Sequence, residues 1–419
     1  MRIAALLLLA MAALTGCAGA PRQPAPPRLI SGAMPEGYDT TVRLLASDME
    51  QFVKRSPEFF QGIRNSATGG SLDILAISGG GSGGAFGVGA LTGLSRAHAR
   101  PRYALVTGVS VGALMAPFAY LGSDWDDAMQ QALGGDKTTA LLHSPKRTLF
   151  ARLLVPLGFH HGPLFQLVDS FVTPAMIQAV ARENAKGRRL LVATTDIDKQ
   201  ETMLWDMGAI ATLGGERARE TFRDVLVASA SVPGMFPPVL MHVTDGVHHY
   251  DEMHVDGSVT AAVFTTPLIA ELHPETLSSL RGAHIYMIVN GQMHRFPKST
   301  PVKTINILTN SFGAGLVYKT REAVAETIAL ARQLDMQFEM TLIPMDYPMG
   351  TFIDFHPQTM RALFDYAADC AARGRLWVTP EQGLRRNLMA RSMPVKGPPS
   401  CPMDDPDIGD GKPLERTQP

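Results

Sequence analysis

The sequence predicts an α/β fold in which a central, largely parallel sheet is flanked by helices. Short apolar runs bounded by glycine and polar residues recur along the chain. They read as strands buried on both faces, and runs with helical spacing separate them, the rhythm of layered α/β folds. LDILAIS (72–78) comes first and is followed by the helical pattern AFGVGALTGLSRA (85–97). YALVTG (103–108) leads into VGALMAPFAYL (111–121), and PAMIQAVARENAKG (174–187) precedes the strand LLVATTD (190–196). HIYMIVN (284–290), the helix REAVAETIALARQLD (321–335), FEMTLIP (338–344) and the helix PQTMRALFDYAADCAARG (357–374) complete the series. Residues 125–171 interrupt the rhythm and read as a helical insertion, placed either beside a site mouth or simply over the core.

The ends differ from this body. Residues 1–16 carry one basic residue, Arg2, then an apolar run too short to span a bilayer, which is the pattern of a secretory signal. Leu14-Thr15-Gly16-Cys17 is similar to a bacterial lipobox, whose cysteine is acylated and becomes the first residue of the mature chain. That likeness implies membrane attachment at Cys17, and Ala18 after it implies outer-membrane sorting; an ordinary cleaved signal is the alternative. Residues 17–37 are rich in proline and read as a tether, residues 38–392 as the body, and residues 393–419 as a disordered tail. Cys370 and Cys401 remain, open to pairing in an oxidising compartment or to standing free.

Composition excludes some functions. With 38 Lys and Arg against 39 Asp and Glu and no basic run, the chain has no electrostatic footprint for nucleic acid. No C-x-x-C or H-E-x-x-H pattern supports a metal site, and no cofactor is expected.

The chemistry concentrates in two glycine-rich stretches. ISGGGSGGAFGVGA (77–90) contains G-x-G-x-x-G at Gly79, Gly81 and Gly84, and also G-x-S-x-G around Ser82. Dinucleotide binding requires an acidic residue about twenty positions later, yet no Asp or Glu lies between Asp73 and Asp124. Arg96, Arg100 and Arg102 leave only a ribose-phosphate variant of that reading open. A second G-x-S-x-G, at Gly108, Ser110 and Gly112, has the setting a nucleophile elbow needs, a strand running into the turn and a helix leaving it. Ser82 sits among five glycines, a backbone too free to hold a strained hydroxyl but suited to turning several N–H groups inward. Ser110 is therefore expected to attack an acyl carbonyl. Gly79, Gly80, Gly81, Ser82, Gly83 and Gly84 are expected to form the oxyanion hole.

Ser110 needs a base. His273, His284, His294 and His356 keep a Ser-His-Asp arrangement open, whereas Asp256-Gly257 closes an alternating run, YDEMHVD, but is also an ordinary turn dipeptide. The glycine loop, then Gly108-x-Ser110-x-Gly112, then Asp256-Gly257, with ASASVPGMFPPV (228–239) between, resembles the patatin-like phospholipases over about residues 70–270. VNGQMHRF (289–296) and the helix after Phe355 are similar to that family's lipoprotein branch. The resemblance implies a three-layer patatin-like fold, a Ser110–Asp256 dyad without histidine, and hydrolysis of phospholipid or lysophospholipid at a membrane. Two departures stand out: Gly83 replaces the family's usual Arg or Lys, and Ser258 its usual Gly or Ala. A lipid-binding lipoprotein without catalysis is the alternative from another class.

Overall fold

The computed structural model describes residues 22–26, 33–38, 42–67, 70–134, 162–265, 278–294, 297, 299–389 and 399–404. The signal segment, Cys17, most of the insertion, His273 and the distal tail lie outside the described residues.

Ten strands among the described residues form one mixed sheet. They are β1 (Met34–Pro35), β2 (Arg43–Leu45), β3 (Asp73–Ile77), β4 (Leu105–Val109), β5 (Arg189–Asp196), β6 (Glu201–Asp206), β7 (Val239–Thr244), β8 (His249–Asp256), β9 (His284–Val289) and β10 (Gln337–Leu342). The centre, in the order β5-β4-β3-β9-β10, is parallel throughout. Antiparallel strands flank it: β6 carries β2, and β8 leads to β7 and β1. The expected strands are all present, and the parallel expectation holds for this centre.

Alternation along the strands builds the layers. Leu75 and Ile77 of β3, with Leu190 and Val192 of β5, point into one core, while Ile74, Leu191 and Ala193 point into another. The first core is covered by α2 (Gly84–Arg96), α3 (Val111–Leu121), α6 (Pro174–Ala185), α7 (Met207–Leu213), α8 (Gly215–Ser229) and α10 (Pro357–Ala372). The second lies under α1 (Met49–Asn65) and the C-terminal part of α9 (Thr304–Gln333). Helices on both faces explain why the central strands are continuous apolar runs. The insertion is helical at both described flanks, α4 (Asp126–Leu133) and α5 (Pro163–Phe171).

One expectation needs correction. Residues 399–404 belong to the region read as a disordered tail, yet Cys401 is buried and disulfide-bonded to Cys370 of α10. Arg386 in α11 (Pro380–Met389) donates to the carbonyls of Cys401, Pro402 and Asp404. Composition counts apolar burial, whereas this segment is held by a covalent bond and a buried guanidinium.

Candidate active site

Strands β3 and β4 are parallel neighbours, so the loops that follow them emerge side by side at the C-terminal edge of the sheet. This brings the two glycine-rich stretches together. Ser110 sits between β4 and α3 with φ 56° and ψ −127°, a backbone conformation rare for a side chain with a Cβ. Its N–H donates to Ser229 Oγ at 3.0 Å, and Ser229 Oγ in turn donates to Ala193 O at 2.7 Å. The turn is thereby tied to β5. Gly108 and Gly112 are demanded by contact: a Cβ on Gly108 would lie 2.6 Å from Gly112 O, and one on Gly112 would lie 2.3 Å from Ile77 O.

Asp256 ends β8, whose last residues pair with the end of β5 so that Asp256 lies opposite Thr194. The acid and the serine thus flank one strand end. Ser110 Oγ donates to Asp256 Oδ2 at 2.6 Å, and Asp256 Oδ1 accepts the Ser258 N–H at 2.7 Å. The next residue is again a glycine for steric reasons, since a Cβ on Gly257 would lie 2.4 Å from Ala193 O. Asp256 is fully buried. Desolvation raises its pKa from 3.8 to about 6, against the pull of the Ser110 hydroxyl and the Ser258 N–H. A carboxylate of that basicity is better matched to accepting a proton near neutral pH than an ordinary aspartate.

Most N–H groups of the glycine loop already have acceptors. Gly79 N–H donates to Ala262 O, Ser82 N–H to Phe352 O and Gly83 N–H to Gly80 O, while Gly84 N–H closes the turn onto Gly81 and Ser82. The last two are spent in the 3-10 turn of residues Gly81–Gly83, the first two in contacts with distant segments. Among the described residues, the N–H groups of Gly80 and Gly81 have no acceptor, and neither does that of Val111 at the start of α3. Of the six residues expected to form an oxyanion hole, Gly80 and Gly81 thus keep an N–H without an acceptor, as does Val111, which was not among them. Ser82 turns away, with Oγ directed to Thr351 O at 3.3 Å, and it does not meet Asp256.

Residues 75–269 match the family model of the patatin-like phospholipases. The chain thus carries a patatin-like domain, the domain of a family of lipid acyl hydrolases, over a stretch that includes Ser110 and Asp256. No curated protein matches the chain. The crystal structure of VipD from Legionella pneumophila aligns over 73% of this chain and 67% of VipD, at 13% identity and a TM-score of 0.36. A likeness that slight adds nothing to the strand order seen directly.

Within the patatin-like domain, the departure at Gly83 has a steric cause. A Cβ there would lie 2.1 Å from Asn290 O, so this backbone leaves no room for the usual basic side chain. Asn290 itself was not singled out from sequence, yet it braces the loop: it is fully buried, its Oδ1 accepts Gly87 N–H at 3.1 Å and its Nδ2 donates to Ser78 O at 2.8 Å. Ser229 was likewise missed. Both lie inside segments that the sequence does mark, ASASVPGMFPPV (228–239) and VNGQMHRF (289–296), but only their partners show what they hold in place. Ser258 Oγ is buried beside Gly79 and has no hydrogen-bond partner among the described residues.

The histidines lie elsewhere. His284 is at the opposite end of the sheet, paired with Glu339 at 3.0 Å, and His294 accepts from Arg321 at 3.0 Å. His356 caps α10 next to the site but is not among the hydrogen-bond partners of Ser110 Oγ.

Ser110 opens into a narrow apolar slot lined by Gly81, Leu114, Leu164, Leu167, Phe236 and Phe352, a lining that suits an acyl chain. The flanks of the insertion therefore do border the site. A roomier cavity of about 260 Å³ behind Thr260 and Lys319 contains neither Ser110 nor Asp256. Asp196, Glu252 and His254 are three buried groups close enough to share a metal ion. Lys199 Nζ already stands between them, 2.6 Å from Asp196 and 2.5 Å from Glu252, so the cation in this cluster is an ammonium of the chain.

Proposed function

We propose that the protein is a serine acyl hydrolase of lipid esters, of phospholipase A or lysophospholipase type, working through Ser110 and Asp256. The observation that carries this reading is the 2.6 Å hydrogen bond from the Ser110 hydroxyl to a buried carboxylate of raised pKa, at a strained strand-to-helix turn. As Ser110 Oγ attacks the ester carbonyl, its proton passes to Asp256 Oδ2. The carbonyl oxygen gains negative charge and is met by the N–H groups of Gly80, Gly81 and Val111, which have no other acceptor among the described residues. Collapse expels the alcohol, which takes the proton from Asp256. Water then attacks the acyl-enzyme with Asp256 again as base, releasing the fatty acid and restoring the serine. The apolar slot supports a fatty-acyl substrate over a short polar one. The partnering of Ser110 with Asp256 favours a dyad over a Ser-His-Asp triad.

The test is turnover of a chromogenic fatty-acyl ester. Wild type is expected to hydrolyse it, Ser110→Ala to be inactive, and replacements of His284, His294 and His356 to keep most activity. A histidine variant as inactive as Ser110→Ala, with normal folding, would sink the dyad; an inactive wild type that no fluorophosphonate labels would favour a lipid-binding role. The same reading includes an acyl anchor at Cys17 and an outer-membrane location. Palmitate labelling followed by fractionation checks it: wild type should carry label and sediment with outer membrane, and Cys17→Ser should carry none.

A further inference from the structure

Helix α9 behaves differently in its two halves. Val324, Leu330 and Ala331 are buried in the C-terminal half. In the N-terminal half Ile307, Leu308 and Tyr318 are 48%, 58% and 69% exposed, and Val302 just before the helix is 95% exposed. Leu308, Phe312 and Leu316 are four residues apart and share a face. This stripe leads to the site: the Phe312 ring packs on Phe352 with centroids 5.5 Å apart, and Leu316 borders a small cavity with Phe352 and Gly80. Phe352 also lines the Ser110 slot and accepts the Ser82 N–H. An apolar path therefore runs from solvent to the glycine loop.

The charge in this stretch is one-sided. From Thr276 to Arg321 the chain has no Asp or Glu, but it has Arg281, Arg295, Lys298, Lys303, Lys319 and Arg321. Arg281, Lys319 and Arg321 are engaged by Asp335, Val259 O and Met293 O, which leaves Lys303 exposed at the helix start, with Arg295 and Lys298 shortly before it in sequence. On the facing loop, Asp346 is paired with Arg386, so Asp354 is the acid that offsets this charge there. Among the described residues no single helix is long and apolar enough to cross a membrane.

We propose that the first half of α9 is the face that docks the protein on an anionic lipid bilayer, with Ile307 and Leu308 entering the interface and Lys303 meeting the headgroups. Apolar side chains beside basic ones are the chemistry of such interfacial helices. The inference rests on the acyl-hydrolase reading for the purpose of the surface, since docking there sets the Ser110 slot against lipid; binding itself is measured independently.

The experiment uses the full chain bearing Cys17→Ser, so that no acyl group at that position contributes. Flotation is measured with phosphatidylcholine vesicles and with vesicles containing about one-third phosphatidylglycerol. The protein is expected to float with the anionic vesicles at least about fivefold better than with the neutral ones. Added Ile307→Asp and Leu308→Asp should lower flotation about tenfold and Lys303→Glu about threefold, whereas Val247→Asp, on the β7–β8 turn, should change nothing. Hydrolysis of a soluble short-chain ester should be equal in all, which shows that the variants fold. Flotation of the double variant equal to the parent's overturns the proposal. So does a parent that floats with neither vesicle, including one that is dimeric while the double variant is monomeric, which assigns the face to a second copy. A parent that floats as expected but hydrolyses no ester overturns the hydrolase reading and leaves the docking face standing.

Discussion

Asp256→Asn should inactivate the protein and stabilise it at once. Burial raises the Asp256 pKa from 3.8 to about 6, so the folded state holds the neutral form more readily than the unfolded chain does. The stability linked to that proton is fully present below pH 3.8 and is lost as pH rises through about 6. Each pH unit of displacement is worth about 1.4 kcal/mol, so the buried charge costs about 3 kcal/mol at pH 7.5 and about 1 kcal/mol at pH 4.5. Asparagine has the same shape and no charge to desolvate. With its oxygen on the Ser258 N–H, its amide can donate to Ser110 Oγ, and both hydrogen bonds of the native carboxylate keep a counterpart. The variant should therefore exceed wild type by about 3 kcal/mol at pH 7.5, falling to about 1 kcal/mol at pH 4.5, while losing about a thousandfold in turnover. Urea unfolding of both proteins at the two pH values measures the difference. A variant that is less stable than wild type at pH 7.5, or a difference independent of pH, would refute the argument that Asp256 is held as an energetically costly base.

Other consequences can be checked alongside. The acid limb of kcat/KM should fall with an apparent pKa near 6, because Asp256 must be ionised to take the Ser110 proton; a limb near 4 would contradict the burial argument. Gly83→Arg, which restores the cation usual in the resembling family, should destabilise by more than about 3 kcal/mol and reduce turnover, since its Cβ meets a backbone carbonyl at 2.1 Å; improved turnover with unchanged melting would show that the loop yields easily. Ser229→Ala strips a buried partner from both Ser110 N–H and Ala193 O, and should cost about 2 kcal/mol with kcat falling more than KM changes. Equal stability of Ser229→Ala and wild type in urea would show that the elbow holds itself.

The parts legible in the sequence were those with local signals. Continuous apolar runs marked β3, β4, β5, β9 and β10 because both faces of the sheet centre are covered. The antiparallel strand β6, with polar ends and half its pairing at the sheet edge, carried no such signal. Helix α9 was read from Arg321 but begins at Thr304, because Gly313, Gly315 and a run of Thr and Asn lower the helix propensity of its first half. At the site, Ser110 was recognisable from its strand-to-helix setting, whereas Asp256 was an ordinary Asp-Gly turn until its order relative to the other motifs was weighed. Which N–H groups around the glycine loop stay without an acceptor was beyond sequence. It depends on the N–H groups bonded to Ala262 and Phe352, which are tertiary contacts, and on the local turn that bonds Gly83 to Gly80.

The central claim is that Ser110, activated by Asp256, is the nucleophile, and that Ser82 in the other G-x-S-x-G is not. Reaction of the full chain with a fluorophosphonate, followed by mass mapping of the modified peptide, tests it most directly. The label should fall on Ser110, persist in Ser82→Ala, vanish in Ser110→Ala, and slow about a thousandfold in Asp256→Asn. Modification of Ser82, or labelling that survives Ser110→Ala, would contradict the account.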